Sequence, residues 1–362
     1  MIPTAWQHKY SDDELNRQRT ICDPLADNVV ALMDRQRPSA MLEEVERRAV
    51  TEGGAFKTFL DTVNTVPDWV DWERVEQGRR VSLAFANARG MALLTSSLVE
   101  GYALSKAAHV LAATGRLHQD VVRRIYETAQ MSHNMNAPGG LRPGGAGQRT
   151  TLEVRLLHAM VRKYLRAHGW DAAHYGEPIN QEDMAFTVIE FDYLSVRGME
   201  RLGASLTPDD RAAMHHLWRY AAWLHGVEEA LLTDSPEEEI YQYERIRVHQ
   251  YEPNDESRML ARTVLTSLAR KPPFYLREEL LFELARTCLG DELADEYALP
   301  RHPLWQHAVE AYRQLNKAAT WAHYKVPGHA RISESYNFRA MRKTLRENVE
   351  KEPGKRAFRE IA

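Results

Sequence analysis

The chain lacks most of the features that mark specialised protein classes. Among its 362 residues are two cysteines, Cys22 and Cys288, too few for a disulfide framework, so a reducing, cytoplasmic setting is expected. Neither sign of charge dominates: 47 Lys and Arg against 51 Asp and Glu leave a net −4, which points away from nucleic acid or any other polyanion as partner. Long apolar runs are missing too. The longest, such as 91–99, is too short and too polar to span a bilayer. Residues 1–20 lack the basic-then-apolar order of a signal peptide. Any membrane association is therefore expected to be peripheral.

Several catalytic signatures are equally missing. A di-iron four-helix site needs Glu-x-x-His on two helices, and the nearest approach is Asp171 with His174. There is no His-Glu-x-x-His, no Gly-x-Ser-x-Gly elbow and no Walker loop. His215, His216 and His225 lie near Glu228 and Glu229, but helical spacing spreads them over different faces, so a core or surface role is expected for them. No repeat of fixed period and no convincing run of strands is visible.

What remains is helical patterning nearly throughout. Ser11 suits an N-cap over 12–19, with Glu14 as its capping-box partner. Prolines open helices expected at 24–35 and 38–50, and Gly53-Gly54 ends the second. Residues 64–72 form a turn around Pro67. Residues 73–113 read as one interrupted or two buried helices, ended by Gly115, and 120–134 as another. The segment 137–148, with five glycines and two prolines, is expected to be an irregular loop. A long helix is expected over 178–202. Thr207, Pro208, Asp209 and Asp210 supply the N-cap, first position and acidic first turn of the next. Further helices are expected at 237–250, 254–268, 276–289 and 302–319. The fold class is all-α: one large domain over 1–320 with globin-like helix packing. A basic tail, 321–362, carries ten Lys or Arg against five Glu and reads as a solvated helix or mobile arm.

One stretch, 149–169, organises the rest. At about 100° per residue, Val154, Leu157, Val161 and Leu165 form an apolar stripe beside His158, while Arg155, Arg162 and Arg166 lie on its other side. His158 thus sits on a seam between an oily face and a basic edge. Such a seam suits haem b, whose ring needs an apolar wall, whose propionates need cations and whose iron takes an imidazole. On 120–134, Val121, Arg124, Thr128 and Met131 share a face, so an arginine and a hydroxyl project from an apolar stripe.

The segments NTVPDWVDW, RRIYETAQ, VRLLHAMVR, GEPINQEDMAFTVIEF and LTPDDRAAMHHLWRYAAWLHGVEEALL, taken in order over 64–232, resemble the oxygenase family that includes the latex-clearing rubber oxygenases and the fungal mycophenolic-acid oxygenase. The resemblance implies an all-α domain binding haem b through one histidine, which His158 matches, followed one turn later by Arg162. Arg155 and Thr187 are grouped with them as cofactor-binding. It also implies an arginine and a threonine across the iron, matched by Arg124 and Thr128 as catalytic residues. The chain departs from the pattern at Glu127, where rubber oxygenases carry lysine. The glutamate that family uses as a proposed base has no clear counterpart, since Glu100 is the wrong distance away. The implied activity is a haem-dependent oxygenase using dioxygen on a hydrophobic, alkene-bearing small molecule, terpenoid or lipid-like, with cleavage of a carbon–carbon double bond as one outcome. A haem protein that does not oxygenate and a purely helical interaction protein are the alternatives.

Overall fold

The computed structural model describes residues 2–33, 40–114 and 121–350. Among these described residues twenty-one α-helices follow one another. The N-terminal group is α1 (Thr4–Lys9), α2 (Asp12–Gln18), α3 (Pro24–Ala31), α4 (Met41–Thr51) and α5 (Gly54–Asn64). Next come α6 (Trp72–Ala84), α7 (Ala86–Ala92), a π-helical turn over Leu93–Ser97, α8 (Leu98–Gly101), α9 (Ser105–Ala113) and α10 (Val121–Met135). The middle of the chain is α11 (Ala146–Ala167), α12 (Ala172–Tyr175), α13 (Gln181–Phe191), α14 (Tyr193–Arg201) and α15 (Pro208–His225). The last third is α16 (Pro236–Gln250), α17 (Asp255–Leu268), α18 (Glu278–Leu289), α19 (Asp291–Glu296), α20 (Gln306–Lys325) and α21 (His329–Leu345). The fold is all-α; among the described residues the sole β feature is an isolated bridge between Leu104 and Tyr251.

Local chemistry places many of these boundaries where the sequence marks them. Ser11 Oγ accepts the Glu14 N–H, and Thr207 Oγ1 accepts that of Asp210 ahead of Pro208. Asn254 and Ser257 form a reciprocal capping box at the start of α17, satisfying amide donors that a helix start otherwise leaves open.

Three departures are informative. The helix expected over 178–202 breaks at Asp192, which adopts φ −98°, ψ −94° between α13 and α14. Its carboxylate turns instead toward His215. The glycine-rich loop is shorter than expected, because α11 begins at Ala146. Gly147 belongs to the helix and serves close approach: a Cβ there would lie 2.5 Å from the Met135 Cα. The segment 73–113 divides into four short helices and a π turn. Pro38, Gly115 and residue 120 lie outside the described residues, as does the tail beyond 350.

The first part of the basic tail is docked. Residue 320 lies inside α20, and α21 packs along α6 and α10. Asn337 donates to the Leu83 carbonyl at 2.8 Å, Arg79 pairs with Glu334 at 2.6 Å, and Phe338 stacks on His133.

Helix α11 is shared between two hydrophobic regions. Leu152, Leu156 and Ala159 pack with α3, α4 and α5, while α10 and α15 flank its other side. That position brings the middle of α11 into the interior.

Candidate functional site

The site is built around His158 in α11. Helical spacing puts Arg155, Arg162 and Arg166 along one edge, and the structure gives each an acidic partner. Asp23, the N-cap of α3, receives Arg155 through Nε at 2.6 Å and Nη2 at 2.9 Å. Asp27, one turn on, receives Arg162 at 2.7 Å, and Arg162 is completely buried. Arg166 reaches Glu177 at 2.6 Å. This edge therefore fastens α11 to α3 and to the loop before α13. The guanidinium groups of Arg155 and Arg162, grouped from sequence with the cofactor, are engaged by these two aspartates.

His158 itself is different. The residue is half-buried, and its Nδ1 is buried without a hydrogen-bond partner. Burial pushes its pKa down to about 3, and His225, Arg162 and Arg124 act in the same direction. The imidazole is neutral at physiological pH, the form that can coordinate a metal. His225, at the end of α15, stands nearby. Its Nδ1 contacts the Ala221 carbonyl at 2.9 Å, and burial lowers its pKa to about 4. The sequence reading left His225 as a surface or core residue; only the packing of α15 against α11 brings it here.

Across from α11, α10 carries Arg124 and Thr128 one turn apart. Arg124 is near enough for its charge to act on both His158 and Tyr102, and the Thr128 side chain is accessible. Glu127 is occupied by an ion pair with Arg123 at 2.8 Å. On α13, Thr187 donates its hydroxyl to the Asp183 carbonyl at 2.9 Å and keeps an accessible side chain.

The carboxylates sort into two kinds. Glu100 is buried and tied to Arg197 and to the Tyr243 hydroxyl, so it belongs to an ionic cluster. Glu190, one turn beyond Thr187, sits so close to Gly101 that a Cβ there would collide with its Oε1. Burial, then the negative charge of Glu100, holds the Glu190 carboxyl well above the usual glutamate range. Sequence reasoning missed it because a glutamate in an amphipathic helix reads as solvated; Gly101 alone hinted at close packing.

A buried nitrogen without a partner, on an imidazole held neutral, with an arginine nearby, is a donor set that fits a porphyrin iron through the His158 ring. His158 would hold the iron, with His225, Arg162 and Arg124 near enough for their charges to act on it.

Comparison with known proteins agrees with the architecture. The catalytic-domain family described as "ER-bound oxygenase mpaB/B'/Rubber oxygenase" matches residues 78–322, and the chain belongs to that family. A rubber oxygenase from Streptomyces sp. (strain K30) is 22% identical over 264 residues, covering 71% of this chain and 63% of the relative. The chain thus matches just under two thirds of that relative's length. The fold is similar to that of a latex clearing protein solved in its closed state, with a TM-score of 0.64, 20% identity and 91% of each chain covered. No helix among the described residues is long and apolar enough to cross a membrane.

Proposed function

We propose that this chain is a haem b-dependent oxygenase that uses dioxygen on a hydrophobic, alkene-bearing small molecule of terpenoid or lipid-like character. The observation that carries the proposal is the neutral imidazole of His158, its Nδ1 buried without a partner and within reach of the Arg124 charge, in a domain of this family. When bound, the haem supplies the oxygen chemistry, and the protein supplies ligation, orientation and exclusion of water. His158 is the iron ligand. Arg124 is placed to stabilise negative charge developing on oxygen, because a fixed cation in a dry site interacts far more strongly than one in water. Thr128, one turn away, orients the bound molecule with its hydroxyl. Burial and the charge of Glu100 make Glu190 hold its proton more tightly than an exposed glutamate does, and so offer a proton-holding group. Arg155 and Arg162 act through position: by clamping α11 to α3 they fix the height and rotation of His158. Oxidative cleavage of the double bond and another insertion of oxygen both suit this arrangement.

A haem protein that does not oxygenate is the second reading. It is favoured by Glu127, which is neutralised by Arg123 and supplies no cation where rubber oxygenases carry lysine. Oxygen uptake with terpenoids and unsaturated lipids separates the two.

The spectrum of the purified protein tests the shared premise. A Soret band is expected that is lost in His158→Ala. A colourless protein after expression with ample haem would remove both readings.

A further inference from the structure

Three buried side chains that the haem proposal does not use meet where α13, α15 and α16 converge. They are Asp192, His215 and Glu239, exposed by 3%, 5% and 4%. His215 Nδ1 lies 3.2 Å from Asp192 Oδ2 and 3.5 Å from Glu239 Oε2. One ligand atom from each residue lies within 4.8 Å of the other two. In a tetrahedral site with bonds of about 2.0–2.1 Å, neighbouring donor atoms are about 3.3–3.4 Å apart. The two measured edges bracket that value.

The surroundings match as well. His215 Nε2 lies 3.2 Å from the Thr233 carbonyl; in the tautomer that donates its N–H there, Nδ1 keeps a lone pair for an ion. A carbonyl behind a metal-bound histidine sets its tautomer and orientation. Beside the triad lies a cavity of ≈ 20 Å³, lined by His215, Glu239, Gln242 and Thr233 among others, which is room for one water and hence for a fourth ligand. Arg219 also borders the cavity, but its charge is met by Asp234 at 2.5 Å. Two carboxylates around a divalent ion leave no net charge buried. One imidazole with two carboxylates suits zinc, whose ligands are nitrogen, sulfur and carboxylate oxygen, better than magnesium or calcium.

We propose that Asp192, His215 and Glu239 form a second metal site, separate from His158, that holds one zinc ion and staples α13, α15 and α16 together. The competing arrangement of the same atoms is a proton-sharing cluster, with His215 as a cation between two carboxylates.

Metal analysis of the full-length, haem-loaded protein decides between them. Zinc and haem are counted on one sample, and the melting temperature is followed before chelation, after chelation and after adding back Zn²⁺. The site predicts one zinc per chain, a lower melting temperature on chelation and recovery with Zn²⁺. It also predicts loss of zinc in Glu239→Gln and His215→Gln with the Soret band unchanged. Another divalent ion in the same stoichiometry, lost in the same variants, upholds the site and changes only the ion. Trace zinc together with a melting temperature indifferent to chelator and Zn²⁺ overturns the proposal, as does full zinc retention in both variants. The add-back on unaltered protein needs no variant to fold, and the Soret band reports separately on the haem reading.

Discussion

Replacing Asp23 by alanine should reveal how the His158 helix is held. The Asp23 carboxylate accepts Arg155 Nε at 2.6 Å and Nη2 at 2.9 Å, and also the Ala26 N–H at 3.2 Å. Both members of the pair are buried, at 2% and 6% exposure. Gly226 closes over them: a Cβ there would sit 2.5 Å from Asp23 Oδ2 and 2.7 Å from Arg155 Nε. Water has little access to an arginine left alone in such a place. Stranding one buried charge costs about 3–5 kcal/mol, and losing the α3 cap adds about 1 kcal/mol. Asp23→Ala is therefore expected to lower stability by about 4–6 kcal/mol, a large share of the 5–15 kcal/mol typical of a domain. The corresponding fall in melting temperature is about 5–8 °C. In Asp23→Ala/Arg155→Met no unpaired charge remains, and most of the loss should return, so that a double-mutant cycle shows strong coupling between the two positions. Thermal melts read by circular dichroism, with haem content measured on the same samples, provide the assay. A loss below about 1 kcal/mol in Asp23→Ala, set against the estimate for a stranded charge, would refute the clamp. So would a double variant as unstable as the two single losses together. If Arg155 served the cofactor instead, Arg155→Met would strip haem while Asp23→Ala spared it.

Arg124→Ala should keep its Soret band and lose turnover by about 100-fold or more, the effect of removing one charge-stabilising donor; wild-type rates would exclude Arg124 from the chemistry. Glu190 gives a pH signature. Its carboxyl is held above the ordinary value of 4.5 by burial and Glu100, so the stability it contributes is full below that value and is lost as pH rises through the elevated one. Glu190→Gln should therefore match the wild type in urea unfolding near pH 4 and exceed it increasingly toward pH 8; parallel curves would show that Glu190 is ionised in the fold. Breaking the tail contact with Asn337→Ala removes a buried hydrogen bond to the Leu83 carbonyl and should cost about 1–3 kcal/mol. An unchanged melt would mean that α21 contributes little to the fold.

Helix, cap and turn positions are set by neighbours three or four residues away, and these were legible in the sequence alone. Ser11, Thr207 with Pro208, and the seam that carries His158 between aliphatic residues and arginines could all be read from spacing. So could the family, from the order of its segments. Partnership across helices could not. An arginine series beside a histidine looks the same in sequence whether it awaits propionates or the aspartates of α3, and only the packing of α3 on α11 gave Asp23 to Arg155 and Asp27 to Arg162. The break at Asp192 was invisible because the partner of its carboxylate, His215, lies 23 residues further on. His215 and Glu239 likewise seemed unrelated, because they lie on different helices and meet only when α15 and α16 converge. Periodicity is a local property of the chain, whereas burial, charge pairing and the state of a buried carboxyl such as Glu190 depend on which helices come together, and that was decided by the tertiary structure.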